Sequence, residues 1–133
     1  MELKLLYTLT GTAVVEKLGK VQDGERIKIE FRGKSGPDSP IEGKAHGSSW
    51  VLIGPFGPSD TSAVQEIITP ANERLVVELR GYAIAGNGAG TEIRAAGIIR
   101  SSAARFAELN GRVAVVVQTV GADDTVAVQA YSW

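Results

Sequence analysis

The chain has 133 residues and a mass of 14.0 kDa, enough for one domain around one core. Fourteen Lys and Arg against fifteen Asp and Glu give a net charge of -1, and 44% of the residues are hydrophobic, which excludes the basic excess of a nucleic-acid binder and the composition of a disordered chain. With no cysteine and one histidine, His46, disulfides, thiolate zinc sites, cysteine nucleophiles and multi-histidine metal centres are excluded, and neither a metal nor a cofactor is expected.

The N-terminal stretch MELKLLYTLTG carries an acid at position 2 and only a brief apolar run, unlike a signal peptide. No segment approaches the roughly 18 apolar residues of a membrane span, so a cytoplasmic protein without membrane contact is the expectation. Period-two alternation rich in Val, Ile and Thr predicts strands near 2–10, 26–32, 40–46, 49–54, 64–69, 73–84, 91–100, 112–120 and 124–133. TAVVEKLGKVQDG (12–24) reads as either a bent strand or a short helix, since Val14, Val15 and Leu18 fit both and Gly19 weakens both. The connections GKSGPDSP (33–40), GPFGPSD (54–60), GNGAG (86–90) and GADD (121–124) are turn-forming and short, which makes neighbouring strands antiparallel hairpins. SSAARFAELNG (101–111) predicts a short helix, with Ser101 or Ser102 as its cap and Asn110-Gly111 as its stop. Together these elements predict an all-β chain: a single antiparallel β-barrel of about eight strands over 1–133, with one short helix near 101–110.

One strand parity is consistently apolar: Ile27, Ile29 and Phe31; Leu75, Val77 and Leu79; Ile93, Ala95 and Ile99; Val113, Val115 and Val117. It is the expected core. The opposite parity carries Lys28, Glu30, Arg32, Glu78, Arg80, Tyr82, Glu92, Arg94, Gln118, Gln129, Tyr131 and Trp133. It also carries Val76, Ala96, Ile98, Ala114, Val116 and Ala127, more apolar groups than a freely solvated face collects. A subunit partner, the short helix, or a polar-apolar cavity with this parity inside the barrel can each supply the cover.

GNGAG lacks the dinucleotide-loop spacing and precedes a strand rather than a helix, Gly43-Lys44 is followed by Ala45 rather than a P-loop hydroxyl, and there is no GxSxG elbow. Glu42, Lys44 and His46 alternate along one predicted strand, and an imidazole beside a carboxylate can act as a general base near neutral pH. Glu78 with Arg80, and Glu92 with Arg94, are acid-base pairs on two strands joined by a hairpin, either a surface ion network or, in a cavity, an arginine clamp for an anion. Trp50 and Trp133 are the largest apolar groups, suited to core or interface packing or to stacking on a ligand.

In order, LG (18–19), DGER (23–26), IEG (41–43), GSSW (47–50), EIIT (66–69), ERLVVELRG (73–81), RFAELNG (105–111) and VQAYSW (128–133) resemble the domain-of-unknown-function 3237 family over nearly the whole chain. Departures are Ser49 before the tryptophan, Pro70-Ala71-Asn72-Glu73 for an Asp-Gly turn, and Glu108 before Leu-Asn. The resemblance implies an allene oxide cyclase-like, calycin-like barrel that binds small, largely apolar molecules and in some relatives steers cyclisation or isomerisation without a cofactor. It matches Trp50 and Asn110 to recurring family positions and brings Arg94 near a recurring arginine. The expected function is therefore binding of a small organic carbonyl or carboxylate compound by a homo-oligomeric barrel, with a cofactor-independent isomerase, cyclase or lyase step as its catalytic form. In that reading Arg80 and Arg94 hold the ligand, Tyr82 or His46 moves a proton, Glu78 tunes the arginines, and Trp50 and Asn110 line the site. The competing reading is a non-catalytic ligand carrier or oligomeric interaction module that uses the Val76, Ile98 and Val116 face.

Overall fold

Short turns between β-branched runs oblige each strand to pair with the next. In the computed structural model, which describes residues 2–21, 24–54, 58–85 and 90–133, that pairing closes on itself. The strands are β1 (Lys4–Val21), β2 (Gly24–Ser35), β3 (Lys44–Ile53), β4 (Ser59–Ile68), β5 (Arg74–Ala85), β6 (Gly90–Arg100), β7 (Val113–Gly121) and β8 (Thr125–Ser132). They form a closed antiparallel barrel in chain order, with β8 pairing back to β1. Residues 86–89 of one expected turn, 55–57 of another expected connection, and 22–23 of the ambiguous stretch 12–24 lie outside the described residues.

One pair of expected strands, 40–46 and 49–54, is fused into β3, and most of the ambiguous stretch 12–24 joins the first strand. Residues 12–21 continue β1 because Gly19, at a φ of 117°, takes up a register shift between Lys17 and Gly19 instead of ending the strand. Gly47 lies within β3, where it pairs with Phe31 and Gln65 on either side. The short helix is a 3-10 turn, Ala104–Leu109, and Gly111 with a φ of 85° follows it. Its N-cap is Ala103, not a serine; Ser101 Oγ instead donates to the Arg74 carbonyl (2.6 Å), which ties the end of β6 to β5.

The interior takes the expected apolar parity on β2, β5 and β6, with Ile29, Phe31, Leu75, Val77, Leu79, Ile93, Ala95 and Ile99 buried and Ile27 packed against them. Burial of each large aliphatic side chain contributes about 1.5–3 kcal/mol. On β7 the expectation is reversed. Ala114, Val116, Gln118 and Val120 point inward, while Val113, Val115 and Val117 lie half-buried on the outside. Both parities of that strand are largely apolar, so only its register decides: Val116 pairs with Ala95 and Ala130, both interior. Ile41, from the β2–β3 connection, and Phe106, from the 3-10 turn, are buried into the same cluster at the end of the barrel where those connections lie. Glycine allows the wall to coil: a Cβ at Gly97 would run into the Glu78 carbonyl oxygen, and one at Gly81 into that of Arg94.

The outer face carries charges on β2, β5 and β6 while the interior is mainly apolar, the reverse of a lipid-facing barrel. Among the described residues no helix is long and apolar enough to cross a membrane.

Candidate functional site

Strict alternation from Leu5, which lies on the outside, would also turn Tyr7 outward. The register shift between Leu5 and Tyr7 inserts Leu6 and changes the parity, so that Tyr7 and then Leu9 and Ala13 face the interior. Tyr7 is fully buried, and burial raises its phenol well above its ordinary pKa, which keeps it neutral.

From β1, β4 and β7, three polar side chains meet across the lumen. The Tyr7 hydroxyl donates to Gln65 Oε1 (2.7 Å), and Gln65 Nε2 donates to Gln118 Oε1 (3.1 Å). Gln118 is only 3% exposed, and its Nε2 has no hydrogen-bond partner among the described residues. This is a costly arrangement: a buried amide left unsatisfied forfeits about 1–3 kcal/mol. The rest of the interior is mainly apolar, with Ser49, Thr61 and Ser132 as further buried hydroxyls. Among the described residues the chain ends in a donor with no acceptor, a group that could meet a hydrogen-bond acceptor on a small molecule.

The residues singled out from sequence lie elsewhere. Glu78, Arg80, Tyr82 and Arg94 occupy the outer face, Tyr82 at 53% exposure. The β5–β6 register sets Tyr82 beside Arg94 and Arg80 beside Ala96, so no four-member network forms; Glu92 pairs with Arg94 (2.7 Å), and Glu78 with Arg100 (3.6 Å). Gln118, expected on the outer parity, lies inside, as do Ala114 and Val116. Trp50 is also outside, with Lys28 Nζ 5.5 Å from its ring centroid, in a groove of about 300 Å³ shared with Leu18, Leu52, Arg26, Asp60 and Ser62. Trp133 is 56% exposed at the edge of β8.

His46 finds a carboxylate, though not that of Glu42, which precedes β3. Its Nε2 lies 3.0 Å from Glu66 Oε1 on β4, while Arg74 Nε holds the other oxygen of the same carboxylate. Glu66 is buried beneath these two exposed side chains. Asn110 sits beside Arg74 and Arg100 in a separate shallow pocket. Among the described residues no group of three His, Asp or Glu side chains is placed to hold a metal ion.

Tyr7, Gln65 and Gln118 escaped the sequence reading as a group. Two of them carry a signal: Gln65 stands between Ala63 and Ile67, and Gln118 between Val116 and Val120, polar breaks in otherwise apolar parities. Tyr7 carries none, because the Leu6 bulge is not legible in the sequence.

No protein-family model and no curated protein matches the chain, so the resemblance to the domain-of-unknown-function 3237 family rests on its short motifs. Solved structures do match. The chain is similar to a protein of unknown function from Clostridium acetobutylicum (TM-score 0.81, 16% identity, covering 98% of this chain and 97% of that one). It is also similar to a beta-barrel like protein from Acinetobacter baumannii (TM-score 0.79, 18% identity, 98% and 94%). An enzyme from Penicillium herquei aligns less closely (TM-score 0.62, 15% identity, 98% and 93%). At these identities the likeness is one of fold.

Proposed function

We propose that the protein binds a small, neutral organic compound in the lumen of the barrel, with a carbonyl-type oxygen of the ligand accepting from Gln118 Nε2. The observation that carries this reading is the partnerless buried amide at the end of the Tyr7–Gln65–Gln118 chain. The ligand completes the hydrogen bonding that the fold leaves open, and the apolar walls take its hydrocarbon part. A cofactor-independent isomerisation, cyclisation or lyase step belongs to the same proposal. Its support is the fold-level likeness to the Penicillium herquei enzyme. A cytoplasmic setting is retained from the sequence reading.

The test is a thermal-shift and NMR screen of small ketones, lactones and amides against the wild type and Gln118→Leu. Binders that lose their effect in the variant support the lumen site. If no neutral carbonyl compound binds at millimolar concentration, or if binders are indifferent to Gln118→Leu, the reading is wrong.

A specific observation favours an oligomer as a second reading. Ile98, Val113, Trp133, Val115, Tyr131 and Leu5 follow one another over the outer face of β6, β7, β8 and β1, with Ile98 paired to Val113 and Tyr131 to both Val115 and Leu5. Ile98 is 37% exposed and Leu5 38%. A second copy of the chain is the proposed cover. Val116, part of the interface expected from sequence, is interior and cannot contribute.

A further inference from the structure

On the outer wall, the register that pairs Val76 with Arg100 makes Arg74, two residues earlier on β5, the diagonal neighbour of Arg100. Each guanidinium is held by Nε: that of Arg74 on Glu66, and that of Arg100 on Glu78 Oε2 at 3.6 Å. The Arg74 fork is hydrogen-bonded through Nε, the Arg100 contact is a looser ion pair, and in both the terminal NH₂ groups remain as donors. Between the two arginines and the segment leading into the 3-10 turn lies a shallow pocket of about 300 Å³, lined by Arg74, Val76, Arg100, Ser101, Ser102 and Asn110. The Ser101 backbone N–H donates to Asn110 Oδ1 (3.2 Å), which fixes that amide with Nδ2 as its remaining donor. Ser102 adds a hydroxyl on the same rim.

We propose that this pocket is a binding site for a tetrahedral oxyanion, a phosphate group free or carried by a small molecule. Two guanidinium forks, a hydroxyl and a carboxamide come from three chain segments and so approach from separate directions. A planar carboxylate presents two oxygens in one plane, whereas phosphate presents three or four that diverge as these donors do. Each arginine already has one carboxylate at its Nε, Glu66 or Glu78, so the anion is held by the terminal NH₂ groups that these pairs leave open. The site lies on the opposite side of the barrel wall from Gln118, so it stands or falls independently of the lumen reading.

Inorganic phosphate, titrated at low ionic strength and pH 7.5 into the full chain, is followed by ¹H–¹⁵N NMR and calorimetry. Saturable shifts at Arg100, Ser101, Ser102 and Asn110 are expected. Arg100→Gln should weaken phosphate binding about tenfold, with its melting temperature reporting an intact fold. Asn110→Asp is the second variant: it keeps the acceptor for Ser101 N–H and adds a negative charge to the pocket, and it should abolish binding. Absence of saturable binding, or wild-type affinity in both variants, overturns the site. Succinate binding as tightly as phosphate overturns the tetrahedral assignment.

Discussion

Replacing Tyr7, Gln65 and Gln118 together by Phe, Leu and Leu removes the lumen's polar chain while keeping its volume close to constant. Two hydrogen bonds, of 2.7 and 3.1 Å, disappear, each with a net worth of about 1 kcal/mol. Against this loss of about 2 kcal/mol stands relief of the unsatisfied Gln118 amide, about 1–3 kcal/mol. Two buried amides also become aliphatic, which adds roughly 1 kcal/mol each after allowance for imperfect packing. The triple variant should therefore be more stable than wild type by about 2 kcal/mol, or roughly 8 °C in melting temperature for a chain of this length. Gln118→Leu alone should lie within about 1 kcal/mol of wild type, because it removes one orphan donor and creates another at Gln65 Nε2. Urea unfolding at pH 7, followed by circular dichroism, measures both. A triple variant less stable than wild type by more than about 2 kcal/mol would refute the reasoning, since the chain would then be a structural keystone rather than a site held open for a ligand.

Other outcomes follow from single features. Tyr7 keeps its proton in the fold above about pH 10, where the unfolded chain loses it; stability should fall by up to about 1.4 kcal/mol per pH unit beyond that point, and this slope should shrink in Tyr7→Phe when unfolding is measured at pH 9 to 11.5. Gly97→Ala sets a methyl against the Glu78 carbonyl and should destabilise the barrel by more than about 3 kcal/mol, with a tolerated alanine in thermal melts contradicting the close approach. Ile98→Glu should reduce an oligomer to the 14.0 kDa monomer in size-exclusion light scattering while lumen binding persists; an unchanged mass removes Ile98 from the interface. Phe106→Ala should lower stability by about 3–5 kcal/mol by opening a cavity where the 3-10 turn packs on the core, and a loss under 1 kcal/mol would mean that Phe106 only covers the end.

The barrel was legible because turns and alternation act over a few residues, and six of the eight strands need nothing else. Fusion of 12–21 into β1 was not, since whether a strand passes through Gly19 depends on β2 supplying partners on both sides of the bulge. The site was less legible for the same reason. Glu78, Arg80, Tyr82 and Arg94 share one parity, and sequence groups them correctly, but which parity faces inward is set by closure of the sheet. On β7 the alternation Val-Ala-Val-Val-Val-Gln gives almost no contrast, and the parity read from it was the wrong one. His46 illustrates a long-range partner: its carboxylate comes from Glu66, twenty residues away, rather than from Glu42 on the approach to its own strand.

The placement of charge also narrows the ligand proposed for the lumen. Arginines chosen from sequence as a clamp for a carboxylate stand on the outside, where water and carboxylates such as Glu92 already satisfy them and an added pair contributes below about 1 kcal/mol. Inside, a carboxylate would meet no cation among the described residues, only Gln118 and a few hydroxyls. One hydrogen bond to a charged acceptor returns about 1.5–3 kcal/mol, while desolvating the ion costs several, so an anion enters the lumen protonated or not at all. A neutral carbonyl carries no ionic desolvation cost, and for the proposed ligand the Gln118 donor would replace one of the hydrogen bonds it gives up in water.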